Sequence, residues 1–506
     1  MRKTKWIFVL AALSTAAFGA GRAKPKMTAE EARALFARMP ATETTTPYHP
    51  TSNPGAQWFP EAGFGLFVHW GIHSLRELGP SWSMYDHRFA PRLPRDISVE
   101  DYYALAKEFD PTNYDPNVWM DMAASMGMRY VVLTTKHHDG FCLWPSAYGD
   151  YNVKCGADGR DLLREYVDAA RRHGLKVGFY FSPRDWGYNG HRSGFGVPAR
   201  RFDGDNKPEL PFPKEENRKE YLKWIDYTIG QLSELLTQYG TIDVLWFDGA
   251  NWMGDVPNDE YGNKIRNWIY RLQPGIVINP RWGRVVNPDY SRNASPARRK
   301  IASSSGDFYT FESKWDHIVN PKQNAGVYEP IWFEFCEIWK GWSWGYQKET
   351  SSKPDLESMR RVLDHLSTLR AFGGNYLLNV GPSPQGEIRS DILAESKELS
   401  GWIGPRKAAF WGIEPVKRWE SYGDVPLTRR DRTLYAHLVG KPRVDREAIS
   451  FSIKPAPVSA RLLGKPGARV KIRSTPDGFE LRLPKTGRDP LGEIVEMKFA
   501  RAPFSK

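Results

Sequence analysis

At 506 residues, 41% hydrophobic and 26% charged, the chain is long enough to bury a large core and a smaller neighbouring one without external help. Its three cysteines, Cys142, Cys155 and Cys336, exclude a disulfide framework, leave at least one thiol free and lack metal-ligand spacing. The formal charge of +12 is spread along the chain and no zinc finger, P-loop or basic-helix motif accompanies it, which argues against a nucleic-acid partner and admits an anionic one.

Residues 1–23 combine a charged start (Arg2, Lys3, Lys5), an apolar run and small residues, the pattern of a secretory signal peptide. The expectation is an exported protein, periplasmic or extracellular, since no other apolar run is long enough to span a membrane. Residues 24–54 hold a short helix opened by the capping-box spacing of Thr28 and Glu31, followed by a Pro/Thr-rich lead-in.

From residue 55 a repeating pattern begins. Apolar strand-forming runs at 64–69, 130–135, 176–181, 244–247, 276–279, 306–312, 331–337 and 375–380 carry no polar face, as expected of strands buried on both sides of a parallel sheet. Helical periodicity separates them at 117–126, 159–173, 214–239, 259–271 and 356–371, and a closing helix is expected at 391–403. Eight strands alternating with helices predict an α/β fold, a (β/α)8 TIM-like barrel over 55–405. Over 415–506 the texture changes to short strands with Gly/Pro turns (434–439, 448–453, 470–473, 479–483, 494–499), which predicts a C-terminal all-β sandwich domain.

The ends of the barrel strands are polar in a way that structural ends need not be. Val244-Leu-Trp-Phe247 ends in Asp248 before a glycine, at the edge where barrels assemble their sites. An isolated Asp there is as readily a turn cap. Strand one ends in His69, strand two in Lys136-His137-His138-Asp139, strand five in Arg281 and strand six in Glu312. A single histidine of this kind is commonly structural, but several converging on one face point to a site. As metal ligands they fit poorly: neighbours on an extended strand point to opposite faces, so His137 and His138 are expected not to share an ion, and no metal is assigned.

At these positions the chain resembles the α-L-fucosidases of glycoside hydrolase family 29. The likeness is carried by Trp58-Phe59, Phe64-Gly-Leu-Phe-Val-His-Trp-Gly71, the run from Tyr130 through Lys136-His-His-Asp-Gly-Phe141 to Ser146, Leu245-Trp-Phe-Asp248 and Asn375-Tyr-Leu-Leu-Asn-Val-Gly-Pro382. It extends over 55–405. The resemblance implies a retaining exo-α-L-fucosidase that needs no cofactor and acts on a fucosylated oligo- or polysaccharide. In retention one carboxylate attacks the anomeric carbon, and a second, about 5–5.5 Å away, protonates the leaving oxygen and then activates water. Asp248 matches the family's nucleophile, and the stretch Gly306-Asp-Phe-Tyr-Thr-Phe-Glu312 matches that of the acid/base. Glu334, in Trp332-Phe-Glu-Phe-Cys-Glu337, is the rival acid/base and is read as supporting or substrate-binding.

Around the sugar the resemblance places His69, His137, His138, Trp246 and Arg281, with Tyr180 and Trp82 nearby. The departure is Ser81, where many members carry a glutamate directly before this Trp. Its loss admits a related α-L-galactoside or a sulfated fucoside as alternative substrate; a non-catalytic glycan-binding barrel is the alternative outside the enzymes. The connection 284–304, with Arg284, Arg292, Arg298, Arg299 and Lys300 against Asp289, is either a solvated basic loop or a contact for an anionic glycan.

Overall fold

The structure, a computed structural model, describes residues 27–40, 50–84, 97–186, 188, 215–248, 258–282, 306–313, 315–319, 332–349, 351–441 and 443–504. The expected signal peptide at 1–23 and the basic connection 284–304 lie outside these residues.

Eight parallel strands form one sheet: β1 Phe64–Val68, β2 Tyr130–Lys136, β3 Lys176–Phe181, β4 Val244–Phe247, β5 Val277–Ile278, β6 Phe308–Glu312, β7 Trp332–Ile338 and β8 Asn375–Val380. Their order is β5-β4-β3-β2-β1-β8-β7-β6, the sequential order of a barrel opened between β5 and β6. No strand ladder bridges that seam among the described residues; at the level of β5 it is spanned by Asp307. Asp307 donates its backbone N–H to the Ile278 carbonyl at 2.6 Å, and its carboxylate accepts from Ile278 N–H at 2.8 Å and from Thr51 N–H at 2.9 Å. A side chain thereby does the work of a rung that a two-residue strand is too short to make.

The strands are buried on both faces because helices cover the outside and side chains fill the inside. Outside lie Pro116–Ser125, Leu162–Arg172, Glu215–Gln238, Asn258–Leu272, Leu356–Phe372 and Ser390–Ile403. Helices 162–172 and 356–372 start on Asp161 and Asp355, whose carboxylates accept first-turn N–H groups, the preferred N-cap chemistry. The interior is a separate apolar cluster including Phe59, Phe67, Tyr130, Trp246, Phe308 and Leu377. Gly65 on β1 makes room there: a Cβ would come within 2.5 Å of the Tyr130 ring, and that close approach lets Tyr130 cross the barrel.

The helix Ala29–Arg38 carries both halves of the expected capping box. It packs on the outer wall through Phe36 against Trp268, centroids 5.5 Å apart, and through Arg33 paired with Asp226. After the barrel come a five-stranded antiparallel sheet, β13-β16-β11-β10-β9, and a three-stranded one, β12-β15-β14. These strands are β9 Glu414–Pro415, β10 Leu427–Arg430, β11 Thr433–Val439, β12 Ala448–Phe451, β13 Ser459–Leu462, β14 Lys471–Thr475, β15 Gly478–Arg482 and β16 Gly492–Lys498. Phe479 of the smaller sheet meets Phe499, just past β16, across the space between the sheets. The sheets join the barrel through helix 356–372: Ser367 bonds His437 at 3.0 Å, and Phe372 packs on Trp419.

Candidate active site

One pocket opens at the carboxyl ends of the barrel strands. Its walls include His69 after β1, His137 and His138 after β2, Tyr180 on β3, Trp246 and Asp248 at β4, Arg281 after β5 and Glu312 at the end of β6, together with Trp82, Trp344, Phe67 and Arg184. Nine of the ten residues singled out from the sequence thus line one cavity. Glu334 does not; it lies wholly buried beneath, accepting from Tyr130 Oη at 2.5 Å and Trp246 Nε1 at 2.9 Å.

His137 and His138 do not point to opposite faces, as strand alternation would have them do; both line the pocket. β2 ends at Lys136, and its pairing with β3 slips register between Thr134 and Lys136, so strand alternation no longer governs the next two residues. The chain then turns through Gly140 at φ +86, a left-handed conformation suited to glycine. Both imidazoles face the pocket as a result, while Lys136 points away to Asp185 at 3.1 Å and Gln231 at 2.8 Å. Nitrogens of His137 and His138 and an Asp248 oxygen lie within 4.8 Å of one another, a donor set that a divalent cation could use. The guanidinium of Arg281 on that same carboxylate opposes a second cation there.

Three hydrogen bonds behind the wall fix what the histidines present. His69 Nδ1 lies 2.6 Å from Asn379 Oδ1, and Asn379 is oriented because its amide nitrogen donates to the Trp344 carbonyl. The bond therefore needs N–H on His69 Nδ1. His138 Nδ1 lies 2.6 Å from Ser182 Oγ, whose own proton goes to the Arg184 carbonyl at 2.7 Å, so His138 also donates from Nδ1. His137 Nδ1 lies 2.6 Å from Ser81 Oγ. That hydroxyl donates to Asp139 Oδ2 at 2.9 Å and accepts from Asp139 N–H at 2.8 Å, which again leaves His137 the donor. Burial drives His69 down to about 4 and His138 to about 3, and takes His137 well below the ordinary value. Three neutral rings thus share one tautomer, and each turns a bare Nε2 to the pocket.

Ser81 is accordingly a pin rather than a wall: it is fully buried, holds a left-handed φ of +57, and locks His137 from behind. Asp139 behind it is raised to about 6 by burial.

The acidic side of the pocket is organised by Arg281. Its Nη1 donates to Asp248 Oδ1 at 2.9 Å, its Nη2 to Glu312 Oε2 at 2.7 Å and its Nε to Thr310 Oγ1 at 3.1 Å. The guanidinium lies 4.6 Å over the Trp246 ring, Trp246 stacks on Tyr180 at 5.5 Å, and Tyr180 stacks on His137 at 5.5 Å, so one column of flat groups forms a wall. Tyr180 Oη donates to Asp248 Oδ2 at 2.9 Å, and His138 Nε2 is 3.8 Å from the same oxygen. Burial would raise the Asp248 carboxyl, but the Arg281 guanidinium, together with the hydrogen bonds from Arg281 and Tyr180, outweighs it and holds it below the usual range. Glu312 is the more open of the two, its side chain 40% exposed against 22% for Asp248.

Sequence reasoning missed Arg184, Phe67 and Asn379. Arg184 follows β3 at a strand end, the signal that locates the others, but no motif surrounds it to mark it out.

The profile of the alpha-L-fucosidase family matches residues 35–406. An α-L-fucosidase isoenzyme from Paenibacillus thiaminolyticus is 31% identical, with 88% of this chain and 98% of that one covered and a TM-score of 0.69. Tissue α-L-fucosidases are similar along most of their length: that of Rattus norvegicus is 27% identical over 447 residues, 85% of each chain, and that of Homo sapiens 26% over 453 residues, 86% of each. With a barrel whose strand ends gather two carboxylates, an arginine and three histidines, and a family match across most of its length, the chain belongs to the α-L-fucosidases, which are glycoside hydrolases.

Proposed function

We propose that this chain is an exo-acting, retaining α-L-fucosidase in which Asp248 is the nucleophile and Glu312 the acid/base. The observation that carries the assignment is the division of labour between two carboxyls held by one guanidinium. Asp248 is the less exposed and is kept ionised, as an attacking carboxylate must be. Glu312 stands further out, where a leaving glycan and the incoming water have access. Glu334, raised to about 7 by burial, has the proton affinity of an acid but reaches only Tyr130 and Trp246; its role is to hold the tryptophan.

In the first step Asp248 Oδ bonds to the anomeric carbon as the bond to the leaving oxygen breaks, and Glu312 gives that oxygen its proton. In the second, Glu312 takes a proton from water, whose oxygen displaces Asp248 and releases the sugar with its original configuration. The three Nε2 acceptors suit three ring hydroxyls. The apolar faces of Phe67 and Trp344 suit the C5 methyl of fucose.

The substrate is a fucosylated oligo- or polysaccharide; a sulfated fucoside is a second reading, supported by the net charge of +12. Ser81 does not support it, because Ser81 stands behind His137. The leader-like start at 1–23 supports export to the periplasm or beyond, and no helix among the described residues is long and apolar enough to cross a membrane. The test is a panel of aryl glycosides with product anomers followed by NMR. Release of fucose with retention by wild type and not by Asp248→Ala is expected; binding without release would leave a glycan-binding barrel.

A further inference from the structure

A second concavity lies on the same rim, lined by other residues of two segments that also line the pocket. The segment after β1 gives Arg76 and Glu77 to it and Pro80 and Trp82 to the pocket; the segment after β7 gives Trp342 and Lys348 to it and Trp344 to the pocket. The two segments are tied together, for Lys348 N–H donates to Glu77 Oε2 at 2.9 Å. Trp342 and Trp344 are two residues apart, so at most about 7 Å separates their Cα atoms. The volumes differ: about 100 Å³ for the pocket and about 710 Å³ for the groove. The first is small, as a single-residue site would be; the second has room for several more sugars.

Trp342 is 46% exposed. An exposed indole on a concave wall beside a sugar pocket offers a flat apolar face for ring stacking. The charges around it are uneven. The acids of the groove are already engaged: Asp391 pairs with Lys340 and Arg389, Asp355 caps a helix, and Glu77 holds the Lys348 backbone. Lys348 and Lys353 are exposed, and their ammonium groups make no ion pair among the described residues. Two available cations near an exposed tryptophan are suited to a sugar that carries a negative group.

We propose that this groove binds the glycan beyond the cleaved residue, stacking one of its rings on Trp342 and pairing an anionic substituent, sulfate ester or carboxylate, with Lys348 and Lys353. The proposal rests on the reading of the pocket as the site of the terminal fucosyl residue. The experiment compares an aryl fucoside, which has no chain to place in the groove, with matched neutral, sulfated and uronate-bearing fuco-oligosaccharides. Trp342→Ala is expected to lower kcat/KM about tenfold on every oligosaccharide, and Lys348→Ala/Lys353→Ala about fivefold on anionic ones alone, an effect that fades in high salt. The aryl fucoside should be cleaved equally by all three proteins. Calorimetric Kd values for the same oligosaccharides on Asp248→Ala, with and without Trp342→Ala, read the groove independently of turnover. Oligosaccharide rates and Kd values untouched by Trp342→Ala, or an equal loss on the aryl fucoside, would overturn the groove; a dependence on Trp342 but not on the lysines would overturn the anionic assignment. The sulfated and uronate arms identify which anion is preferred. Failure of wild type to cleave any fucoside would instead sink the reading of the pocket, and the Kd comparison would still judge the groove.

Discussion

Asp248 and Glu312 are joined through a single guanidinium: one terminal nitrogen of Arg281 holds Asp248 at 2.9 Å and the other holds Glu312 at 2.7 Å. Two carboxylates brought to one reacting centre would repel each other, and a planar cation between them offsets that repulsion while fixing both orientations. Removing it should separate charge from geometry. In Arg281→Gln the burial of Asp248 is no longer outweighed and its pKa climbs, so the acid limb of kcat/KM moves to higher pH, with a drop at the optimum of about 10²–10³-fold. Arg281→Lys keeps charge without the fork and should fall between the two. A pH profile unchanged in Arg281→Gln would show that Asp248 is not tuned this way.

Asp248→Ala is expected to fold normally and to lose at least about 10³-fold in kcat. Azide should restore turnover and yield the fucosyl azide of inverted configuration, because the small nucleophile enters the face that the carboxylate vacated. Product NMR distinguishes this from residual wild-type activity, which would give retention.

Glu312→Ala should slow substrates with poor leaving groups by about 10²–10⁴-fold and activated phenyl fucosides far less, since only the former need a proton as the bond breaks. The same pair of substrates run on Glu334→Ala separates the two glutamates. A leaving-group dependence in Glu334→Ala and none in Glu312→Ala would exchange their roles.

Glu334 also makes a stability prediction of definite sign. Its pKa is about 7 in the fold against an ordinary 4.5, so between those values the folded chain keeps a proton that the unfolded chain has lost. Stability tied to this group is complete below about pH 4.5 and is lost as pH rises to about 7, up to about 3 kcal/mol for a fully buried carboxyl. Glu334→Gln removes that titration. The Tm of the variant relative to wild type should therefore rise between pH 4.5 and pH 8. The buried histidines act in the opposite sense: their lowered pKa values remove stability as pH falls below about 6.5, equally in both proteins. A flat Tm difference measured by calorimetry would contradict the assignment.

Most of the barrel was legible because its strands are apolar on both faces and its helices are periodic; β3, β4 and β8 fall where the pattern puts them. β5 was read as four residues and is two, since Asp307 replaces the missing rung, and no sequence pattern announces a side chain acting as backbone. The strands at Glu414–Pro415, Leu427–Arg430 and Ser459–Leu462 carry no readable signal: each offers at most two apolar residues beside Glu, Arg, Thr or Ser, unlike the equally short but wholly apolar Val244–Phe247. In the site, residue types at strand ends located the pocket, whereas orientation did not follow from them. The adjacent histidines face the same way only because β2 stops one residue before them, and Ser81 is a buried pin although its neighbours Pro80 and Trp82 line the pocket.

The shared tautomer of His69, His137 and His138 restricts the chemistry of ligands. A neutral imidazole whose δ nitrogen is committed can receive a hydrogen at its inward nitrogen and has none to give. A synthetic analogue in which fluorine replaces a ring hydroxyl keeps the polarity and roughly the size of the original but has no hydrogen to donate, so against any of these three nitrogens it loses the bond that the hydroxyl would make. Inhibitors for this pocket gain more from keeping each O–H, or exchanging it for N–H, than from any added acceptor.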